Sequence, residues 1–146
     1  ALQWPSIHAI RKGYFMELVS AVTLLAIFQF WILGGLVGRA RGKYGVKAPQ
    51  TTGDEHFERW FRVHYNTLEK LIVFLPALWL FGYYVGQYYA AALGLVYLIG
   101  RLMYAISYVR DPGSRGLGTL ISELPTLVMV LGGLIAVIVQ WAGSLS

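Results

Sequence analysis

The stretch Phe57-Glu58-Arg59-Trp60-Phe61-Arg62-Val63-His64-Tyr65-Asn66-Thr67-Leu68-Glu69 decides how this chain folds and where its chemistry lies. Arg59, Arg62, Asn66 and Glu69 recur at intervals of 3, 4 and 3. Residues so spaced stack on one side of a helix. Residues 71–84, which follow, are almost wholly apolar. A charge carried into a bilayer is costly unless it meets a partner, water or a ligand. The stripe therefore reads as the lining of a polar site at one edge of a membrane bundle.

The rest of the chain supports a membrane setting. Of its 146 residues, 57% are hydrophobic and only 13% charged. Mean hydropathy is +0.57. A soluble domain carries about 25% charged residues. Apolar runs cover residues 14–38, 57–84, 88–109 and 117–141. Each is long enough for a hydrocarbon core that needs about 20 helical residues. Backbone groups in lipid must be satisfied internally, so continuous runs become helices. The predicted fold is all-α, an integral membrane four-helix bundle in one domain over residues 16–146. Pro76 and Pro125 fall inside the second and fourth runs, where neighbouring helices tolerate a kink. Residues 1–15 precede Met16-Glu17, which reads as a natural start; they are expected to be an extension outside the functional unit. They do not resemble a signal peptide.

The connections set the topology. The first holds Arg39, Arg41, Lys43, Lys47 and Pro49; the second, near Gln87, has no charge; the third contains Arg110 and Arg115. The first and third lie on one side, and both are basic. The positive-inside rule places them in the cytoplasm and both termini opposite. Arg11 and Lys12 argue weakly the other way. The net charge of +5 fits membrane lipid headgroups or an anionic small molecule. No nucleic-acid module is visible, so nucleic acid is not expected as a partner.

A second polar stripe lies on the third run. Tyr97, Arg101, Tyr104 and Tyr108 follow at intervals of 4, 3 and 4. Tyrosines favour membrane interfaces and arginine can snorkel, but Arg101 lies too deep in its run for that to suffice. On the first stripe, a structural reading is an ion-pair network led by Glu58–Arg62 at i,i+4. Arginine, amide and carboxylate together exceed what packing needs and suit a zwitterionic ligand. Arg115 precedes the fourth run, where a cation beside a helix N-terminus lowers a thiol pKa from about 8.5. Alone, it reads as a flanking cation. Glycines 113, 116 and 118 would let a ligand approach the backbone. Gly34-Gly35 and Gly132-Gly133 read as helix-packing surfaces. Glu123 is an intramembrane acid expected to pair with an arginine of another run.

Several chemistries lack their residues. The chain has no cysteine, so any sulfur chemistry must come from a bound cosubstrate. His56 and His64 lack a ligand-spaced carboxylate, so no metal is expected. Ser20 and Ser107 lack a triad arrangement.

The run from Phe57 to Glu69 resembles the signature of the MAPEG family, membrane proteins of eicosanoid and glutathione metabolism. Gly100-Arg101-Leu102-Met103-Tyr104-Ala105-Ile106-Ser107-Tyr108 is similar to its second motif, and Pro49-Gln50-Thr51-Thr52-Gly53 also fits. The resemblance implies a four-helix subunit in a homotrimer, with glutathione bound between subunits near the cytoplasmic side. It implies that Arg62, Asn66, Glu69, Tyr104 and Tyr108 hold the tripeptide, with Arg41 reaching in. Arg115 matches the arginine that stabilises the glutathione thiolate, and Arg59 and Arg101 resemble supporting charges. Lys70 stands where leukotriene C4 synthase has a tyrosine, which speaks against leukotriene specificity. The motif looks closer to microsomal glutathione transferase 3 and bacterial relatives. The implied activity is glutathione transfer to a lipophilic electrophile, with lipid hydroperoxide reduction as a side activity. The rival is a non-catalytic lipid-binding scaffold of the same fold. A small transporter fits less well, because the charged stripes keep to one side.

Overall fold

In the computed structural model, which describes residues 16–145, four long helices follow one another. We label them α1 (Glu17–Tyr44), α2 (Glu55–Tyr84), α3 (Gln87–Arg110) and α4 (Gly116–Gly143). A short 3-10 turn, Pro112–Arg115, leads into α4. The expected extension at residues 1–15 lies outside the described residues.

Local chemistry sets the boundaries. Gly45 ends α1 in the left-handed region at φ 68°, and its N–H donates to the Arg41 carbonyl. The Asp54 carboxylate accepts from the N–H groups of His56 and Phe57 and so starts α2. Glu58 reaches back to the Gly53 N–H at 2.9 Å. The expected Glu58–Arg62 pair does not form, because the glutamate closes the loop before α2 instead. At the other end of the bundle, Gly86 separates α2 from α3. Pro76 and Pro125 lie inside continuous helices.

The largest core cluster gathers Val19, Val22, Leu71, Phe74, Leu78, Tyr97 and Met129 from all four helices. Phe74 stacks on Tyr97 with ring centroids 3.6 Å apart. Helices α3 and α4 cross closely enough for backbone contact. A Cβ on Gly100 would meet the backbone of Ile121 and Ser122, and one on Gly118 would meet that of Met103 and Tyr104. Gly118 therefore serves helix packing, and its expected role in ligand approach is corrected. Gly34 gives room to His64, whose ring stacks on Phe30 at 4.4 Å. Gly132 packs against Phe81.

The outer surface is apolar, with Trp31, Ile72, Leu117 and Ile135 exposed. Helices α1 and α3, and α4 with its leading turn, are long and apolar enough to cross a membrane. Helix α2 differs from the expected second apolar run. Its 30 residues span about 45 Å, but Glu55, Glu58, Arg59, Arg62 and Glu69 all fall between its start and Lys70. Helix α2 is therefore not among the helices long and apolar enough to cross a membrane by length and composition.

Candidate functional site

The end of the bundle where α1 and α3 finish and α2 and α4 begin collects most of the residues singled out from sequence. A cavity of about 350 Å³ there is lined by Thr51, Glu58, Arg59, Arg62, Tyr108 and Pro112, among others. Arg62 is exposed and has no hydrogen bond or ion pair among the described residues. One turn further along α2, Asn66 donates its amide to Glu69 Oε2 at 3.2 Å, and Glu69 is exposed. The polar stripe is thus present as read, with Arg62 free among the described residues.

The aromatic stripe of α3 joins this end to the interior. Tyr104 is buried, and its ring lies 5.5 Å from that of Tyr108. The Arg115 guanidinium sits over the Tyr108 ring at 5.7 Å, within cation–π reach. Its Nη1 donates to the Pro112 carbonyl at 3.3 Å. That bond folds the side chain back over the turn and toward Tyr108. Arg62, Tyr108 and Arg115 therefore converge from α2, α3 and the start of α4.

Arg59 and Arg101 behave differently. Arg59 donates from Nη1 to the carbonyls of Val109 and Arg110 at 3.1 and 2.9 Å, capping the end of α3. Its Nη2 pairs with Glu55. Arg101 is 1% exposed. Its Nη2 donates to Thr67 Oγ1 at 2.6 Å, while Thr67 donates to the Val63 carbonyl. The Arg101 guanidinium also lies 4.3 Å from the centre of the Tyr104 ring. Both arginines tie α2 to α3, as the resemblance suggested for supporting charges.

Arg41 is not brought to the other site residues within one chain. Its Nη1 donates to the carbonyls of Val46 and Gln50 at 3.2 and 2.8 Å, and its guanidinium covers the Phe57 ring at 4.6 Å. Glu123 also departs from expectation: its ion-pair partner is Lys70, with Nζ 2.8 Å from Oε1. Among the described residues no arginine takes that position. Sequence reading missed this pair and the bond between Thr67 and Arg101. Thr67 lay inside the motif without a charge to mark it, and only its spacing from Val63 hinted at a hydroxyl turned to its own helix. No group of three or more metal-ligating side chains occurs among the described residues.

Comparison with known proteins agrees with this architecture. The MAPEG family description matches residues 18–135. An uncharacterized protein of Synechocystis sp. is 46% identical over 119 residues, covering 82% of this chain and 87% of the relative. Human microsomal glutathione S-transferase 2 is 38% identical over 118 residues, 80% of each chain. Leukotriene C4 synthase of Cavia porcellus is 39% identical over 100 residues, covering 68% of this chain and 67% of the synthase. These matches support the family and do not single out microsomal glutathione transferase 3.

Proposed function

Because the chain belongs to the MAPEG family, we propose that it is a membrane-bound glutathione S-transferase acting on lipophilic electrophiles. The observation that carries this reading is one polar cavity lined by both a free Arg62 and Tyr108, with the Arg115 guanidinium over the Tyr108 ring. Glutathione brings two carboxylates, an ammonium and a thiol. Arg62 would hold a carboxylate by paired N–H donors. Glu69 and Asn66 would take the ammonium and an amide. Tyr104 and Tyr108 would supply the aromatic wall beneath the thiol.

Arg115 is the proposed catalytic residue. A guanidinium beside the N-terminus of α4 favours the thiolate over the thiol. The thiolate attacks an electrophilic carbon, a carbon–sulfur bond forms, and the displaced group leaves with the electron pair or takes up a proton. Fixing the tripeptide makes this step effectively unimolecular. With a lipid hydroperoxide, the same thiolate would attack the outer peroxide oxygen and release the alcohol. A second glutathione would then give the disulfide and water.

The assembly follows from the same premise. A homotrimer would set each site between neighbouring copies. Arg41, which bonds its own loop and has no contact with Arg62 among the described residues, would then reach the adjacent copy's site with the donors its loop leaves free. The basic flanks at Arg39, Lys43, Lys47 and Arg110 support a cytoplasmic position for this end.

The test is glutathione-dependent turnover of a panel of electrophiles and of a lipid hydroperoxide by purified protein in detergent. Conjugate formation supports the transferase. Glutathione neither turned over nor bound would leave the non-catalytic lipid-binding scaffold as the better reading.

A further inference from the structure

The guanidinium of Arg101 hangs on one hydroxyl. An arginine carries five N–H donors, yet the hydrogen bond of Arg101 among the described residues runs from Nη2 to Thr67 Oγ1 at 2.6 Å. Its Nε is buried without a partner. No ion pair of Arg101 occurs among the described residues. Thr67 is itself fixed by donating to the Val63 carbonyl at 2.8 Å. This side chain of α2 therefore sets where the buried cation of α3 lies.

From that cation a row of side chains runs along α3 to the bundle end. The Arg101 guanidinium lies 4.3 Å from the centre of the Tyr104 ring. The rings of Tyr104 and Tyr108 have centres 5.5 Å apart. The Arg115 guanidinium lies 5.7 Å from the centre of the Tyr108 ring. Cation, ring, ring and cation thus follow one another, each within reach of cation–π or aromatic attraction.

Arg115 has little else to fix it. It is exposed, and its hydrogen bond to the Pro112 carbonyl is 3.3 Å long. Its helix rests on the same support. Gly118, three residues further on, packs so closely that a Cβ there would strike the Tyr104 backbone nitrogen. Tyr104 supports Arg115 by two routes: the Tyr108 ring leads to the side chain, and Gly118 leads to the backbone of α4. A shift of Tyr104 displaces both.

We propose that Thr67 and Arg101 are positioning residues for thiol activation. Their bond fixes Tyr104, and Tyr104 with Tyr108 holds the Arg115 guanidinium beside the cavity that Tyr108 lines. This rests on the glutathione reading, in which Arg115 favours the thiolate. Placement matters because attraction between charges falls with distance and is weak across water. A guanidinium kept on the Tyr108 ring stays next to a bound thiol; a released one swings into solvent.

The experiment follows the ultraviolet thiolate band against pH at saturating glutathione, with the full chain in detergent and Tm read in parallel. Thr67→Val is the decisive variant, because it leaves every charge in place and removes the acceptor for Arg101. It should raise the apparent pKa of bound glutathione by about one unit, the lower end of what a neighbouring cation contributes. Thr67→Ser keeps the hydroxyl and should restore the unaltered value. Met129→Ala, in the core cluster away from this row, should lower Tm without moving the titration. A Thr67→Val titration that coincides with that of the unaltered protein overturns the proposal, since the bond then serves stability alone. So does an equal shift in Met129→Ala, or no recovery in Thr67→Ser. Absence of a thiolate in the unaltered protein removes the glutathione reading itself, and the proposal with it.

Discussion

Arg62 and Arg101 sit on facing polar stripes, yet they behave as opposites. Arg101 is buried, bonded to Thr67 and laid against Tyr104. Arg62 is exposed, borders a cavity, and has no partner among the described residues. The same contrast divides Arg59, which caps α3, from Arg115, which covers Tyr108 with most of its donors free. An arginine whose donors are occupied by its own chain holds helices together. One whose donors remain free at a cavity is available to a ligand.

Variants can break or sharpen that contrast. The largest effect is expected for Arg115→Ala: turnover should fall by about 10²–10³-fold, typical for loss of one electrostatic stabiliser. Glutathione affinity should change little, a split that steady-state kinetics and calorimetry would reveal. Next comes Arg62→Ala. Losing charge-assisted bonds of about 1.5–3 kcal/mol should weaken glutathione binding by about 10–100-fold. Its thermal unfolding in detergent should match that of the unaltered protein.

Thr67→Val probes the opposite class. It removes the acceptor for Arg101 while keeping the side-chain shape. The cost should be about 1–3 kcal/mol of stability, read as a lowered Tm. The smallest effect belongs to Glu55→Gln. That glutamate is 74% exposed, and an i,i+4 pair at a helix surface contributes about 0.3–0.5 kcal/mol. Arg59 should continue to cap α3 through its bonds to Val109 and Arg110. A Glu55→Gln defect as large as that of Thr67→Val would break the distinction.

Much of this was legible in the sequence because it depends on one helix at a time. The spacing of Arg62, Asn66 and Glu69 placed them on one face, and Asn66 does bond Glu69. The period of Tyr97, Arg101, Tyr104 and Tyr108 likewise survived folding. What depends on rotation and depth between helices was not legible. Glu123 found Lys70 because α2 and α4 enter from the same end and keep matching depth. Gly118 turned out to touch the Tyr104 backbone, a contact no intrachain spacing could announce. Helix α2 shows a third limit. The run 57–84 reads as one apolar span, although its first part is polar and is where Arg62 borders the cavity.

The central claim is that Arg115 acts on a bound thiol while Arg62 holds the molecule that carries it. An ultraviolet difference spectrum of the detergent-purified protein, titrated with glutathione at neutral pH, addresses both. The account predicts a saturable thiolate band that disappears in Arg115→Ala while glutathione still binds, and that requires much higher glutathione in Arg62→Ala. A band of full size in Arg115→Ala, or saturable binding with no thiolate in the unaltered protein, would contradict it.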